Sequence, residues 1–237
     1  MSEQKRVALV TGGAGGIGTS ICRRLAEDGF TVVTNYRNRE KTLKWQQQLH
    51  ADGFDIAIDA ADVTDFDQCV NMIAAIESDH GHIDVIVNNA GITRDSTLRK
   101  MEPAQWHGVI QTILDGVYNV VKPALNGMIV GGYGRIVNIA SSNGQKGQIG
   151  QTNYSAAKAG MHGFTKALAQ EVARSGITVN TISPGYIATE MVMAVPEKIR
   201  DKIIAQIPVG RLGLPEEVEA AVAFLVSDAA AFATGSH

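Results

Sequence analysis

The chain has 237 residues, of which 45% are hydrophobic and 19% are charged, and its formal net charge is −3. The apolar fraction is ample for a core and excludes an intrinsically disordered chain, while the slightly acidic balance argues against a large nucleic-acid-binding surface. Glycine is over-used, at 25 residues against 6 prolines, so the glycines are expected to serve particular turns and close backbone approaches.

Short apolar runs alternate with amphipathic segments along most of the chain. Six runs rich in Val and Ile have the length of buried strands: residues 7–10, 30–34, 54–58, 83–87, 135–139 and 177–182. Segments with helical spacing follow them: residues 17–27, 40–49, 66–78, 104–128, 154–174, 196–205 and 215–227. This order predicts one α/β domain over residues 1–237, a Rossmann-like, doubly wound parallel sheet with helices on both faces.

A glycine-rich loop follows the first predicted strand. Thr11 precedes five glycines within residues 12–18, and a predicted helix begins within the same stretch. A strand, a tight turn and a helix N-terminus form the usual context of a dinucleotide site, because glycine lets the backbone approach a pyrophosphate and the helix end supplies free N–H groups. Two glycine registers fit, either Gly13, Gly15 and Gly18 or Gly12, Gly16 and Gly18.

The end of the second predicted strand indicates which dinucleotide the loop binds. An acidic residue about 20 residues past the loop would bind the ribose 2′-hydroxyl of NAD. Here the strand ends without a carboxylate, and Arg37 and Arg39 follow it. Arginine pairs well with the 2′-phosphate of NADP through charge-assisted bonds. We therefore expect NADPH or NADP⁺ as cofactor, with Arg37 as the first candidate contact; the alternative is two ordinary surface arginines.

Three polar residues near the fifth predicted strand suggest a catalytic group. Ser141 lies just past the strand, where open parallel sheets bind ligands, and Tyr154 and Lys158 share one face of the next helix. A phenol has a pKa near 10, and a nearby ammonium group lowers it. We expect Tyr154 to donate a proton to a carbonyl oxygen that Ser141 also binds. The alternative is a surface Tyr–Lys pair.

Together these motifs resemble the short-chain dehydrogenase/reductase family. The matching features run in the family's order from the N-terminus to about residue 215: Thr11-Gly12-x-x-x-Gly16-x-Gly18, Asp62-Val63, Asn88-Asn89-Ala90-Gly91, Ser141, Tyr154-x-x-x-Lys158 and Pro184-Gly185. The resemblance selects Gly12, Gly16 and Gly18 as the glycine register and implies the roles given above to Ser141, Tyr154 and Lys158. It implies further cofactor contacts from Ile17, Asp62, Val63, Asn89, Gly91, Pro184, Gly185, Ile187 and Thr189.

A closer resemblance within the family concerns the substrate. Residues 91–95, 144–154 and 184–189 are similar to reductases that convert acetoacetyl-CoA to (R)-3-hydroxybutyryl-CoA with NADPH in polyhydroxybutyrate synthesis. Reductases of carrier-protein-linked 3-oxoacyl groups share many of these motifs, and the Gln-rich loop before Tyr154 favours the CoA substrate. The resemblance implies that Gln148, Gln151 and Tyr186 flank the acyl thioester, with Asp95 as a weaker candidate. Ordinary loop polarity is the alternative for these four residues.

The chain departs from the family pattern in two places. Ile113 stands where family members usually carry an Asn that helps to hold a proton-relaying water near the lysine. Because isoleucine cannot form that hydrogen bond, an impaired NADP-binding variant is a further possible function. Relatives also continue past residue 237 with a short strand and an Asn-Gly-Gly segment, so we expect the last strand of the sheet to be missing.

The remaining features concern compartment and partners. Cys22 and Cys69 do not make a disulfide framework, and no apolar run approaches the ~18 residues that a membrane span needs. The apolar stretch near the N-terminus is too short for a signal peptide. The six histidines form no metal-binding motif. We expect a cytoplasmic protein without a metal, nucleic-acid or membrane partner, and the family resemblance suggests a homotetramer.

Overall fold

A six-stranded, fully parallel sheet forms the centre of the molecule, in a computed structural model that describes residues 5–237. The first four residues of the predicted domain lie outside the described residues. The strands are β1 (Val7–Val10), β2 (Thr31–Tyr36), β3 (Ile56–Ala60), β4 (Ile83–Asn88), β5 (Gly134–Ile139) and β6 (Ile177–Ile182). All six predicted strands are confirmed. Val- and Ile-rich runs of this length form strands readily when both faces of the sheet are buried.

The strand order is β3-β2-β1-β4-β5-β6, which reverses direction between β1 and β4. Val10, the last residue of β1, pairs with Thr34 of β2 and with Val87 of β4. The carboxyl ends of β1 and β4 therefore lie side by side and the connections that leave them diverge. Such a reversal opens a crevice at the carboxyl edge of a doubly wound sheet.

Within residues 5–237, ten α-helices accompany the sheet. They are α1 (Gly16–Glu27), α2 (Arg39–Ala51), α3 (Phe66–His80), α4 (Pro103–Ile110), α5 (Gly116–Gly131), α6 (Ser142–Lys146), α7 (Thr152–Val172), α8 (Glu190–Met193), α9 (Glu197–Ile204) and α10 (Pro215–Val226). The apolar faces of α3, α5 and α7 form one core with the sheet, and those of α1, α2 and α10 form another. The predicted doubly wound class is therefore confirmed. Over residues 5–237, no helix combines the length and the apolarity that a membrane crossing requires.

The helix predicted over residues 104–128 is interrupted. α4 and α5 are joined by one π-helical turn, Gln111–Asp115, and the Thr112 hydroxyl donates to the carbonyl of Gly108 at 2.8 Å. A hydroxyl that bonds back to a helix carbonyl competes with the regular ladder, and π-turns are frequent at functional sites. Periodicity does not reveal such an interruption. It also misses α6 and α8, which are too short to show a repeat.

The residues after α10 return to the outer edge of the sheet. The N–H of Gly235 donates to the carbonyl of Val179 at 2.8 Å, and the carbonyl of Ser236 accepts from Thr181 at 3.0 Å. Among the described residues this segment is not a seventh strand, but its two backbone bonds satisfy part of the β6 edge.

Candidate active site

The crevice at the carboxyl edge contains a cavity of about 400 Å³ beside the glycine loop. It is lined by Gly12, Ala14, Gly15, Asn35, Tyr36, Arg37, Asn38, Thr42, Val63, Ala90, Gly91, Ile92 and Thr112. Four of these residues, Gly12, Arg37, Val63 and Gly91, are cofactor candidates from the sequence. The loops after β1, β2, β3 and β4 therefore meet where the sequence places a dinucleotide.

Two buried side chains at the end of β2 hold the glycine loop in place. The N–H of Gly12 donates to Asn35 Oδ1 and the N–H of Gly13 donates to Thr34 Oγ1, both at 2.9 Å. Asn35 in turn donates to the carbonyl of Ala61 at 2.9 Å. The sequence did not predict that Thr34 and Asn35 support the glycine loop. The signal that could have found them is the pair of polar residues that ends an otherwise apolar strand.

The glycines of the loop are required by close backbone packing. A Cβ atom at Gly18 would lie 2.3 Å from the carbonyl oxygen of Gly12, which is too close for any side chain. Gly12 has a φ of +66°, a left-handed conformation that glycine adopts readily. A Cβ at Gly16 would lie 3.0 Å from Thr189 Cγ2, so the loop after β6 packs on the same segment. These contacts explain why Gly12, Gly16 and Gly18 occupy their positions.

Asn89 fixes the same loop from the β4 side. Its Nδ2 donates to the carbonyls of Thr11 and Gly12 at 3.0 and 3.1 Å, and its N–H donates to the Thr11 hydroxyl at 3.0 Å. The side-chain donors of Asn89 are thereby committed to the loop. Its contribution to a dinucleotide site is therefore to shape the loop.

The N-terminus of α1 faces this crevice with its backbone donors. Gly15 precedes the helix and has no side chain that could cap it, and Ile17 lies half-buried in the first turn. An uncapped helix start leaves N–H groups and the positive end of the helix dipole available for an anion. The geometry therefore fits the pyrophosphate of a dinucleotide.

Arg37, Asp62 and Val63, three of the predicted cofactor contacts, lie together beside the cavity. Arg37 Nη1 is 3.7 Å from Asp62 Oδ2, and both side chains are partly exposed. Asp62 Oδ1 also accepts from the N–H and the hydroxyl of Thr64, at 3.0 and 2.9 Å. Val63 lines the cavity, whereas Arg39 begins α2. Arg37 thus lines the cavity, and its guanidinium forms only a long ion pair with Asp62.

The loop after β6 closes another side of the crevice. The carbonyl of Pro184 accepts from the N–H of Ser142 at 2.9 Å, which ties this loop to the end of β5. Gly185 is exposed, Ile187 is buried and forms a bridge with Gly213, and Thr189 immediately precedes α8. The cofactor contacts predicted within residues 184–189 therefore lie on one continuous segment beside Gly16.

Ser141, Tyr154 and Lys158 are brought together as the sequence predicts. A hydrogen bond from Ser141 lowers the pKa of Tyr154, but burial of the phenol has the larger effect and raises that pKa above its usual value near 10. Lys158 is buried, its Nζ donates to the carbonyl of Ile139 at 2.5 Å, and it lies 5.6 Å from the centre of the Tyr154 ring. Burial lowers the pKa of Lys158 to about 7.

These pKa shifts correct the expected role of the ammonium group. The sequence reading expected Lys158 to lower the pKa of Tyr154, whereas in this geometry the pKa of the phenol is raised. The physical reason is the exclusion of water, which penalises the charged form of both residues. At neutral pH, Tyr154 is therefore a protonated donor, and Lys158 is close to its own titration point.

Asp95 and Gln151 form a hydrogen-bonded chain that ends at Ser141. Gln151 Nε2 donates to Asp95 Oδ2 at 2.8 Å, and Gln151 Oε1 accepts from Asn143 Nδ2 at 2.9 Å. The N–H of Asn143 donates to Ser141 Oγ at 3.2 Å. The carboxylate of Asp95 also contributes to the raised pKa of Tyr154. These two substrate candidates are therefore linked to Ser141 through Asn143.

The other two substrate candidates lie on separate loops. Gln148 is exposed in the turn before Gln151, and its carbonyl accepts from the Gln151 N–H at 3.1 Å. Tyr186 is half-buried in the loop after β6, where its carbonyl accepts from the N–H of Gly213 at 2.9 Å. The described contacts of both residues are made by the backbone.

Ile113 lies on the π-helical turn beside Lys158. Its side chain is 1% exposed. A Cβ atom built on Gly91 would lie 3.7 Å from Ile113 Cγ1 and 3.9 Å from Lys158 Nζ, so both side chains border the same glycine. The isoleucine therefore contributes apolar surface next to the lysine where a polar side chain would supply a hydrogen bond.

Comparisons with known proteins agree with this arrangement. A family model described as short chain dehydrogenase matches residues 6–200. The acetoacetyl-CoA reductase of Allochromatium vinosum is 54% identical over 234 residues, which cover 98% of this chain and 95% of that relative. The acetoacetyl-CoA reductase of Cupriavidus necator is 55% identical over 233 residues, with the same two coverages. The 3-oxoacyl-[acyl-carrier-protein] reductase of Vibrio cholerae is 42% identical over 235 residues, which cover 99% of this chain and 95% of that relative.

The lowered pKa of Lys158 predicts a pH-dependent stability difference. Between about pH 7 and 10.5 the unfolded chain binds a proton that the folded chain does not, so the cost of the buried ammonium is largest below pH 7 and disappears as the pH rises. Lys158→Met removes this cost. We expect the free energy of unfolding of the variant, relative to the wild type, to fall as the pH rises from 7 to 9, by at most about 1.4 kcal/mol per pH unit.

Urea unfolding at four pH values from 6 to about 9 measures this difference. Lys166→Met is the matched control, because Lys166 is an exposed lysine on the same helix. The control should differ from the wild type by a nearly constant amount. A constant offset for Lys158→Met as well would contradict the pKa assigned to Lys158.

Proposed function

The chain belongs to the short-chain dehydrogenase family, and on that premise we propose that it reduces acetoacetyl-CoA to (R)-3-hydroxybutyryl-CoA with NADPH. The observation that carries the proposal is the meeting of Ser141, Tyr154 and Lys158 beside an uncapped helix start and a glycine cradle. The similarity to acetoacetyl-CoA reductases over nearly the whole chain supports the choice of substrate. We also propose a cytoplasmic homotetramer that acts in polyhydroxybutyrate synthesis.

The residues of the crevice fit a nicotinamide dinucleotide. A Cβ atom at Gly18 would collide with the carbonyl of Gly12, so glycine keeps this loop tight, and the start of α1 offers N–H groups for a pyrophosphate. Arg37 supplies the cation that a 2′-phosphate requires. Asp62 and Val63 would contact the adenine, Asn89 and Gly91 would line the cofactor cleft, and Ile187 and Thr189 would contact the nicotinamide amide. When bound, NADPH supplies a hydride.

The chain's own residues provide the proton for the reduction. Tyr154 is protonated at neutral pH, because burial raises its pKa, and it gives its hydroxyl proton to the carbonyl oxygen as that oxygen gains negative charge. Ser141 donates a hydrogen bond to the same oxygen. One hydride at carbon and one proton at oxygen convert the ketone into a secondary alcohol. Lys158, held by Ile139, positions the phenol and binds the ribose hydroxyls.

The acyl thioester would lie between two loops. Gln148 and Gln151 border it on one side and Tyr186 on the other, with Asp95 holding Gln151 in place. Relatives that act on the CoA thioester are 54 and 55% identical, and the relative that acts on a carrier-linked substrate is 42% identical. We therefore favour CoA over an acyl carrier protein.

The loss of NADPH absorbance with acetoacetyl-CoA tests this function directly. We expect turnover by the wild type, and Tyr154→Phe should lower kcat by about 10²–10⁴-fold because the proton donor is lost. Tyr118→Phe is the matched control, since Tyr118 is an exposed tyrosine on α5. The same assay with acetoacetyl-acyl-carrier protein at equal concentration decides the substrate class. A strong preference for the carrier-linked substrate would overturn the proposal.

The choice of cofactor rests on Arg37 and has its own test. Arg37→Asp places a carboxylate facing the proposed position of the 2′-phosphate, so the Kd for NADPH should rise by about 10–100-fold while that for NADH changes little. Fluorescence titration of both cofactors measures the difference. Arg39→Asp makes the same charge change on α2 and should have a smaller effect. Equal losses for NADPH and NADH in Arg37→Asp would show that Arg37 does not select the cofactor.

A second candidate function is NADPH binding with impaired catalysis. The observation that favours it is Ile113, a buried isoleucine beside Lys158. We expect Ile113→Asn to raise kcat by about 10-fold, because an amide beside Lys158 would support proton relay. Ile113→Val, which keeps an apolar side chain, should leave kcat unchanged. If Ile113→Asn turns over no faster than the wild type, position 113 does not limit catalysis.

A further inference from the structure

A buried chain of hydrogen bonds crosses the sheet beneath the candidate active site. Asn88 Nδ2 at the end of β4 donates to Asn138 Oδ1 on β5 at 2.8 Å, and Asn138 Nδ2 donates to Thr165 Oγ1 on α7 at 2.8 Å. Thr165 Oγ1 is in turn 2.7 Å from Thr181 Oγ1 on β6. The exposures of the four side chains are 3, 0, 0 and 4%, in that order. Three strands and one helix are thus joined in the dry interior.

The bonds of this chain have a defined direction. Both amides donate toward α7, so Thr165 accepts from Asn138, and either hydroxyl can be the donor in its bond with Thr181. At the other end, Asn88 Oδ1 is buried without a partner among the described residues. A buried polar chain that is incompletely satisfied costs free energy compared with an apolar core of the same shape. Stabilisation alone therefore does not explain this chain of hydrogen bonds. Hydrogen bonds are directional, whereas the contacts of an apolar core are not.

The chain of bonds acts on the helix that carries the catalytic residues. Lys158 of α7 bonds to the carbonyl of Ile139, and Thr165, two turns further along α7, bonds to Asn138, the residue before Ile139. Hydrogen bonds therefore hold α7 on β5 at two points, Lys158 and Thr165. Ser141 lies two residues past Ile139, so a shift of α7 along β5 would move Tyr154 relative to Ser141.

We propose that Asn138 and Thr165 are positioning residues, which fix α7 on β5 so that Tyr154 stays in hydrogen-bond contact with Ser141. This inference rests on the proposed reductase function. Neither residue touches the substrate or the cofactor in the proposed arrangement, and both act through α7. The role requires a hydroxyl at position 165 and does not require the methyl group.

Three variants separate positioning from simple stability. Thr165→Val keeps the shape of the side chain and loses the hydroxyl, and Thr165→Ser keeps the hydroxyl. Thr178→Val is the matched control, because Thr178 is a buried threonine on β6 whose hydroxyl has no partner among the described residues. We expect Thr165→Val to lower kcat for acetoacetyl-CoA by about 10-fold, with KM and the Kd for NADPH nearly unchanged. Thr165→Ser should recover most of this loss, and Thr178→Val should keep the wild-type kcat.

Hydrogen exchange provides a readout that does not depend on turnover. In Thr165→Val, the amides of residues 152–158 should exchange several-fold faster than in the wild type, although they lie two or more turns from the substitution, and those of Thr165→Ser should not. Unchanged exchange in residues 152–158 together with an unchanged kcat would overturn the proposal, as would an equal loss of kcat in Thr165→Ser. A wild type without reductase activity would contradict the proposed function, and the exchange experiment would still decide the positioning role.

Discussion

The site depends on one constraint, the packing of backbone against backbone where the strand order reverses. The carbonyl of Gly12 lies so close to Gly18 that no side chain fits between them. The side-chain amide of Asn89 donates both of its hydrogen bonds to the same turn. Because this contact brings the start of α1 to the carboxyl end of β1, uncapped N–H groups face the crevice between β1 and β4. The remaining loops then assemble around a fixed cradle.

Exclusion of water sets the proton affinities of Tyr154 and Lys158. Burial raises the pKa of Tyr154 and lowers that of Lys158 to about 7, so the phenol holds its proton more tightly than the ammonium group does. A phenol that stays protonated suits donation to a carbonyl oxygen, which is the direction of reduction. Ile113 extends the apolar surroundings of Lys158 and thereby contributes to the exclusion of water from the lysine.

Two polar chains connect the catalytic residues to the rest of the molecule, one exposed and one buried. The exposed chain runs from Asp95 through Gln151 and Asn143 to Ser141 on the substrate side. The buried chain holds α7 against the sheet from below. Together they place the serine and the tyrosine from two directions, so that hydrogen bonds set the distance between residues carried by separate elements.

The sequence by itself determined the class of fold and the family, and it proposed the residues that carry the chemistry. Strand-length runs of Val and Ile, and the motifs around Gly12, Ser141 and Tyr154, are local patterns that remain readable in a single chain. Only the tertiary structure decided that Asp95 binds Gln151, since these residues are 56 positions apart. It alone showed that burial raises the pKa of Tyr154, because a pKa shift depends on how much water the surrounding elements exclude, and no local pattern records that.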